Sequence, residues 1–427
     1  MDLYEFQEEV LKKVENRNKV AFYLDMGLGK TFVGAEKMRR LGAKRNLLIC
    51  QKSKIDDWKN HFEMYYKTAT IFDLTKPKEL DVFLKFLKDP QIPCVGIVNY
   101  ELAWRRPEIL QLSNFTLMLD ESSLIQNRKA KQTKFILKLK PKNIILLSGT
   151  PTSGKYENLW TQMHLLGWEI SEHLYNQHYV NWKTLQIGWT NPRFIRVVDK
   201  KNPYKNVSRL KAQMREYGSV FLKTEDVLDL PEQIVTVLKL SRSKEYVRFK
   251  KDSILKIGDT ELVCDTDLTK RLGLRQLCGV FSSEKLQAFE DLIQSTNDRL
   301  IVFYCFNAEL EKLKKVAEKL KKPISIVNGD KKDFNSYETE DDSVTFVQYQ
   351  AGAMGLNLQK ANKIVYFTLP DGRQDLFDQS KKRIHRIGQS QPCFYYILLC
   401  DNTVECEILK TLDERTALTN NLFLEES

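Results

Sequence analysis

The chain has 427 residues, too many for one ordinary core, so two or three domains are expected. Hydrophobic residues make up 42%, enough for real cores, and 67 Lys+Arg against 56 Asp+Glu leave a formal charge of +11 that favours a polyanionic partner. No apolar run approaches the roughly 18 residues of a membrane span, and the acidic start MDLYEFQEEV has no signal-peptide core, so a cytoplasmic protein is expected.

In chain order, VAFYL (20–24) reads as a buried strand and leads into LDMGLGKT (24–31). That stretch has the end of a phosphate loop, G-x-x-x-x-G-K-[ST], but Leu24 stands where the first glycine belongs. Gly27 and Gly29 permit a tight turn with no Cβ in a phosphate's way. Lys30 would place its charge on the β and γ phosphates, and Thr31 would offer a hydroxyl to Mg²⁺. A helix from Thr31 to Leu41, closed by Gly42, should follow. NLLIC (46–50), CVGIV (94–98), TLMLD (116–120) and NIILL (143–147) are further apolar runs without alternation, the mark of parallel strands covered on both faces. The third ends in MLDESS (118–123), whose adjacent acids Asp120 and Glu121 would sit at the carboxyl end of a strand, where open parallel sheets bind ligands. There Asp120 would meet Mg²⁺ and Glu121 would orient and deprotonate an attacking water.

From about 155 to 220 the chain is rich in Trp, Tyr, Asn and basic residues, and helices and loops are expected in place of sheet. A break falls at DLPEQ (229–233), where Pro231 starts a new extended segment. A second series follows, with strands at LIVFY (300–304), ISIV (324–327), VTFVQY (344–349), KIVYF (363–367) and FYYILL (394–399). EKLKKVAEKLKK (311–322) reads as an amphipathic helix with a solvated charged face. Residues 1–228 and 229–427 are therefore taken as two α/β lobes, with helical protrusions at about 155–225 and 241–290. The 8 cysteines form no C-x-x-C pair, and the spacing of Cys393, Cys400 and Cys406 fits no zinc knuckle, so buried free thiols and no structural zinc are expected.

At these motifs the chain resembles the SNF2 family of superfamily 2 helicase-like ATPases, and more narrowly a compact bacterial or phage-type member. DMGLGKT (25–31) fits the family's D-E-M-G-L-G-K-T, in which the first glycine is normally absent. LLICQKSKIDDW (47–58) is similar to its aliphatic-C-P segment, with Gln51 for the proline. Its D-E-A-H box matches Asp120, Glu121 and Ser122, with Ser123 in place of the histidine. LLSGTPTSG (146–154) resembles L-T-G-T-P-x-x-N, with Gly154 for the asparagine, and ENLWTQMHLLG (157–167) resembles the helix after it. In the second lobe, YQAGAMGLNLQKANKIVYF (349–367) resembles the segment that senses nucleotide and contacts the strand, and QSKKRIHRIGQ (379–389) matches Q-x-x-x-R-x-H-R-x-G-Q.

The resemblance implies two RecA-like lobes with parallel central sheets, helical protrusions inserted between and within them, and ATP with Mg²⁺ between the lobes. It implies Gln7 as the adenine reader, with Phe6 stacking on the base, and Gly355 near the nucleotide. It makes Arg383 and Arg386 the γ-phosphate arginines, supported by Gln379. Lobe closure would deliver them and tie hydrolysis to the closed state. Phosphate contacts to double-stranded DNA are expected from Asn99, Tyr100, Arg105, Arg128, Lys129 and Gly352, with more from the basic insertion and its aromatics, such as Trp182 and Trp189. The implied activity is ATP-dependent translocation on duplex DNA. A strand-separating helicase on DNA or RNA is the enzymatic rival, and the sequence shows no β-hairpin or wedge for it. A binding or assembly protein with a weak or partner-dependent nucleotide site is the third reading, to which Ser123 and Gly154 give room.

Overall fold

Uninterrupted apolar runs become fully buried central strands, and the structure, a computed structural model, describes residues 3–86, 91–187, 192–258, 260–352 and 356–424. The chain divides into two units, Met1–Val227 with Ala417–Ser427, and Leu228–Thr416. Each is an α/β unit built on a seven-stranded, largely parallel sheet, the build expected of the two lobes.

In the first unit the strands are β1 Lys19–Leu24, β2 Arg45–Cys50, β3 Thr70–Asp73, β4 Cys94–Asn99, β5 Thr116–Asp120 and β6 Asn143–Ser148. A hairpin of β7 Trp182–Ile187 and β8 Arg193–Val198 follows, then β9 Ser219–Leu222. The sheet order is β3-β4-β2-β5-β6-β1-β9, and every pairing in it is parallel. Register therefore brings the ends of β5, β6 and β1 to one edge: Asp120 lies opposite Leu147, and Tyr23 opposite Ser148.

The expectation of helices and loops over 155–220 holds for Trp160–Leu165, Glu172–Tyr179 and Val207–Glu216, but not for the hairpin or for β9, which pairs with β1. WKTLQI and RFIRVV carry β-branched and aromatic residues among polar and basic ones without regular alternation, so neither declared itself as a strand. SVFL is too short for a pattern to declare itself.

The second unit's sheet runs β10-β18-β17-β13-β16-β14-β15, where β10 is Gln233–Leu240, β13 Leu300–Tyr304, β14 Ile324–Val327, β15 Lys332–Asp333, β16 Val344–Gln348, β17 Lys363–Tyr366 and β18 Cys393–Cys400. A small antiparallel hairpin, β11 Ile254–Ile257 with β12 Thr260–Val263, and the helices Lys244–Asp252, Asp267–Gly279 and Ser283–Gln294 fill the segment before β13. β10 is an edge strand whose residues alternate between exposed and half-buried, which is why only its start at Pro231 stood out in the sequence.

The final helix, Val404–Phe423, carries the chain back into the first unit. There Leu422 is buried in the core, Tyr156 donates its hydroxyl to Leu418 O at 2.7 Å, and the Phe423 ring meets Phe221 edge-on at 5.4 Å. Among the described residues no helix is long and apolar enough to cross a membrane.

Candidate functional site

β1 ends at Leu24, and the chain turns at Gly27 (φ 90°) and Gly29 (φ 73°) before the helix Lys30–Arg40. Both angles are left-handed, so glycine is the residue that adopts them without strain. Space adds a second reason at Gly29, where a Cβ would lie 2.4 Å from Gln7 Nε2. Gln7 is buried, donates to Leu28 O at 3.0 Å and accepts from Tyr4 N at 3.1 Å, so in this conformation its amide holds the loop's backbone. Phe6 stacks on Tyr4, ring centroids 5.6 Å apart. The Lys30 ammonium donates to Leu24 O at 3.1 Å, across the mouth of the turn. Asp25 anchors the loop's other flank, accepting the Thr224 hydroxyl at 3.0 Å.

The acidic pair stands two strands away. Asp120 Oδ2 accepts the Trp58 indole N–H at 2.8 Å, and the buried Tyr100 hydroxyl donates to Asp120 O at 2.9 Å. Burial lifts the Asp120 carboxyl above its ordinary range, against the opposing pull of the Trp58 bond and the Lys30 and Lys54 charges. Glu121 has φ 53°, a left-handed conformation that costs a non-glycine residue about 1–3 kcal/mol and concentrates at functional sites. Ser123 lies in the turn Ser122–Ile125 that follows.

Gln162, on the helix Trp160–Leu165, joins these segments and was not singled out from the sequence. Its fully buried Oε1 accepts from Ser122 Oγ at 2.8 Å and from the Tyr23 hydroxyl at 3.1 Å, while its Nε2 donates to Pro151 O at 2.7 Å. One side chain thus ties the strand feeding the loop, the acidic turn, and the S-G-T-P segment after β6. Thr419 pins the far end of that last segment, donating to Thr152 O at 2.9 Å and accepting from Gly154 N at 3.1 Å. ENLWTQMHLLG contains Gln162 without showing its role, and Thr419 lies in no motif, because a buried amide and a distant threonine gain meaning only through the fold.

The loop and acids fit a nucleotide with Mg²⁺. The available ligands, the Thr31 hydroxyl and the Asp120 carboxylate, are hard oxygens of the type this cation takes. Glycines keep the cradle open: a Cβ at Gly149 would approach Lys30 Nζ to 3.1 Å and Met26 Cγ to 3.2 Å.

In the second unit, Gln379 and Arg383 are buried and Arg386 half-buried, and burial holds the Arg386 guanidinium below its ordinary value. His385 Nε2 lies 2.9 Å from Pro231 O, and Gln389 Nε2 donates to Gln359 O and Ala361 O. Gly352 is buried against Phe303 and Val347, each of which a Cβ would approach to 3.0 Å or less, so it serves close packing here. Gly355 and Trp189 lie outside the described residues.

The expected nucleic-acid contacts sort by exposure. Tyr100 is 1% exposed, and its hydroxyl donates to Asp120 O at the start of the acidic turn. Asn99 is buried and donates to Glu101 Oε2 at 2.7 Å, at the rim of an open groove of about 720 Å³ also lined by Lys52, Thr75 and Arg105. Arg105 lies 5.0 Å from the Trp104 ring centroid. Arg128 pairs with Glu172 and sits over Trp160, so a phosphate would have to compete for it. Lys129 is exposed.

One further polar cluster lies in the second unit's interior. Cys278, Cys400 and Glu405 present ligand atoms within 4.8 Å of one another. Glu405 Oε1 is held by the buried Lys285 ammonium at 2.6 Å and its Oε2 takes the Cys400 N–H at 3.0 Å, so both oxygens serve the fold.

Residues 10–283 match the family model of the SNF2-related domain, and residues 284–388 that of the helicase conserved C-terminal domain. Among curated proteins, the chain is 23% identical to a mouse SWI/SNF-related matrix-associated actin-dependent regulator of chromatin subfamily A member 1, over 92% of this chain and 40% of that protein. It is 22% identical to the putative ATP-dependent helicase/translocase YwqA of Bacillus subtilis, over 94% and 46%. The uncharacterized ATP-dependent helicase YqhH of the same organism is 24% identical over 96% and 78%. The chain spans less than half the length of the first two. Among solved structures, a Sulfolobus solfataricus SWI2/SNF2 ATPase core in complex with dsDNA aligns over 99% of this chain and 93% of that one, with 19% identity and a TM-score of 0.47.

Proposed function

The chain belongs to the SNF2-related domain family, and from that premise we propose that it is an ATP-driven translocase on double-stranded DNA. The observation that carries this reading is the convergence of three motif segments at the carboxyl ends of neighbouring strands β1, β6 and β5. In it, Lys30 and the loop amides bind the β and γ phosphates, and Thr31 and Asp120 hold Mg²⁺. The cation supplies charge neutralisation on the phosphate oxygens. Glu121 orients the attacking water and accepts its proton. Arg383 and Arg386 are assigned to the charge that builds on the transferring phosphoryl, and Gln379 to their support. Gln7 and Phe6 are assigned to the base, which requires the Gln7 amide to exchange its bond to Leu28 O for the adenine edge. Arg105 and Lys129 are assigned to DNA phosphates. A bacterial or phage-type member working in the cytoplasm is the narrower reading, supported on the bacterial side by the two Bacillus subtilis relatives.

Steady-state ATP hydrolysis, measured alone and with duplex DNA, single-stranded DNA or duplex RNA, tests this, with Glu121→Gln as control. Stimulation by duplex DNA that the control lacks is the expected result. Negligible hydrolysis with every nucleic acid would sink the autonomous-motor reading in favour of a partner-activated or binding protein.

A further inference from the structure

The loops at the amino ends of β2, β5 and β6 enclose a second concavity, at the end of the sheet opposite the candidate nucleotide site. It has a volume of about 430 Å³ and is lined by residues 41–45 together with Asn114, Lys142 and Asn143. Gly42 (φ 66°) and Asn114 (φ 51°) turn the chain left-handed in the first two loops, a conformation both residue types adopt readily. The intervening strands run five or six residues, so about 15–20 Å separates this pocket from the acidic pair.

Its lining is that of an anion receptor. Lys44, Arg45 and Lys142 are three cations among eight lining residues, and none of the eight is acidic. Lys44 and Lys142 are exposed and, among the described residues, have no ion-pair partner. Asn143 is 4% exposed, and its amide is fixed in place by donation to Thr116 Oγ1 at 3.0 Å. Among the described residues, the N–H groups of Ala43, Lys44 and Asn114 find no acceptor, so the loops bring donors as well as charge. Small-molecule pockets of this size are ordinarily lined by apolar side chains. Here cations and amides prevail, the groups that phosphate oxygens take. Short loops closing round a pocket suit a compact ligand better than a long polymer, which needs an extended track.

We infer that this pocket binds the phosphate groups of a small molecule, at a site separate from the one Lys30 serves. The inference stands apart from the motor reading, since none of the lining residues lies in the phosphate loop, the acidic turn or the S-G-T-P segment. Residues 41–45 continue from the helix Lys30–Arg40, so the ligand sits beyond one end of a helix whose other end begins at the phosphate loop.

The test uses the full chain and isothermal titration with pyrophosphate in EDTA, so that no Mg²⁺ recruits the anion to the candidate nucleotide site. In Lys30→Ala, whose phosphate loop has lost its charge, one pyrophosphate should still bind. Adding Lys44→Ser and Lys142→Ser, both at exposed positions, should weaken that binding by about tenfold or more. In the otherwise unaltered protein the same two serines should remove this site and leave any binding at the phosphate loop in place. An ADP arm separates the ligand's sources: an equal loss for ADP supports a nucleotide's phosphates, and a loss for pyrophosphate alone supports a free anion. Absence of binding in Lys30→Ala, when the unaltered chain binds, overturns the inference and leaves the phosphate loop as the anion site. Binding indifferent to the two serines also overturns it. A short DNA duplex held by the two lysines as tightly as pyrophosphate overturns it too, and makes the pocket a nucleic-acid contact.

Discussion

Ser122 donates its hydroxyl to Gln162 Oε1 at 2.8 Å, one residue beyond Glu121. The same oxygen accepts from Tyr23, and the amide's other end donates to Pro151 O. Gln162→Leu keeps the volume but strands three buried polar groups, each costing about 1–3 kcal/mol. The expected result is a lower unfolding temperature and a fall in kcat for stimulated hydrolysis, with the KM for ATP little changed. Tyr23→Phe, which removes one bond, should lose about 1 kcal/mol of stability and little kcat. Equal kcat losses in the two variants would mean that Gln162 acts only through stability.

Trp58 orients Asp120 from behind by its indole N–H. Groups that fix a metal-binding side chain typically contribute about 10–100-fold in affinity or activity. Trp58→Phe should therefore raise the Mg²⁺ concentration needed for half-maximal hydrolysis, and chelation should abolish hydrolysis in both proteins. A Mg²⁺ titration superimposable on the unaltered one would separate Asp120 from the cation.

Glu121→Gln preserves shape but exchanges one acceptor oxygen for an NH₂ donor and removes the base. Hydrolysis should fall by roughly 10²–10⁴-fold, with nucleotide binding, measured by a fluorescent ATP analogue, retained. Loss of binding to the same degree would place Glu121 in nucleotide binding in place of water activation.

Glu309 sets a pH dependence in the second unit. Its buried carboxylate accepts from Cys305 N, Phe306 N and the Thr368 hydroxyl on Oε2, while Oε1 has no hydrogen-bond partner among the described residues. Burial raises its pKa to about 7, opposed by those bonds and by the Lys285 charge. The folded state therefore holds a proton that the unfolded chain releases near pH 4.5. Stability falls as pH rises from that value through about 7, by about 3 kcal/mol, and levels off above it. Glu309→Gln should flatten this slope in thermal melts between pH 5 and 8. An unchanged slope would mean that other groups carry it. Gly279 belongs to the same arrangement, since a Cβ there would meet Glu309 Oε1 at 1.9 Å, so Gly279→Ala should destabilise the unit.

Thr419→Val is isosteric and leaves the Gly154 N–H and Thr152 O unpaired in a buried setting, which should destabilise the first unit by about 1–3 kcal/mol per group. A melt identical to that of the unaltered protein would show that solvent satisfies both groups.

The sequence was readable where a residue's role is local. Leu24 through Thr31 announce a phosphate-type loop because glycine and lysine there act through backbone shape and charge within one turn. The central strands VAFYL, TLMLD and LIVFY declared themselves because burial on both faces leaves no polar positions. Edge elements did not: TIFD and SVFL are too short, and QIVTVLKL exposes every second residue. Residues acting through distant partners were equally hidden. Tyr100 lies 20 positions from Asp120 and Gln162 lies 40 from Ser122, so only the tertiary fold brings each pair together.

The return of residues 417–423 to the first unit makes the second unit an insertion in chain order, with its neighbour begun before it and finished after it. During synthesis, the first 227 residues leave the ribosome with the seats of Leu422 and Thr419 still empty. The segment carrying S-G-T-P then lacks its clasp until Thr419 has been added. The phosphate-binding unit, begun before its neighbour, is thus completed only after that neighbour has been synthesised.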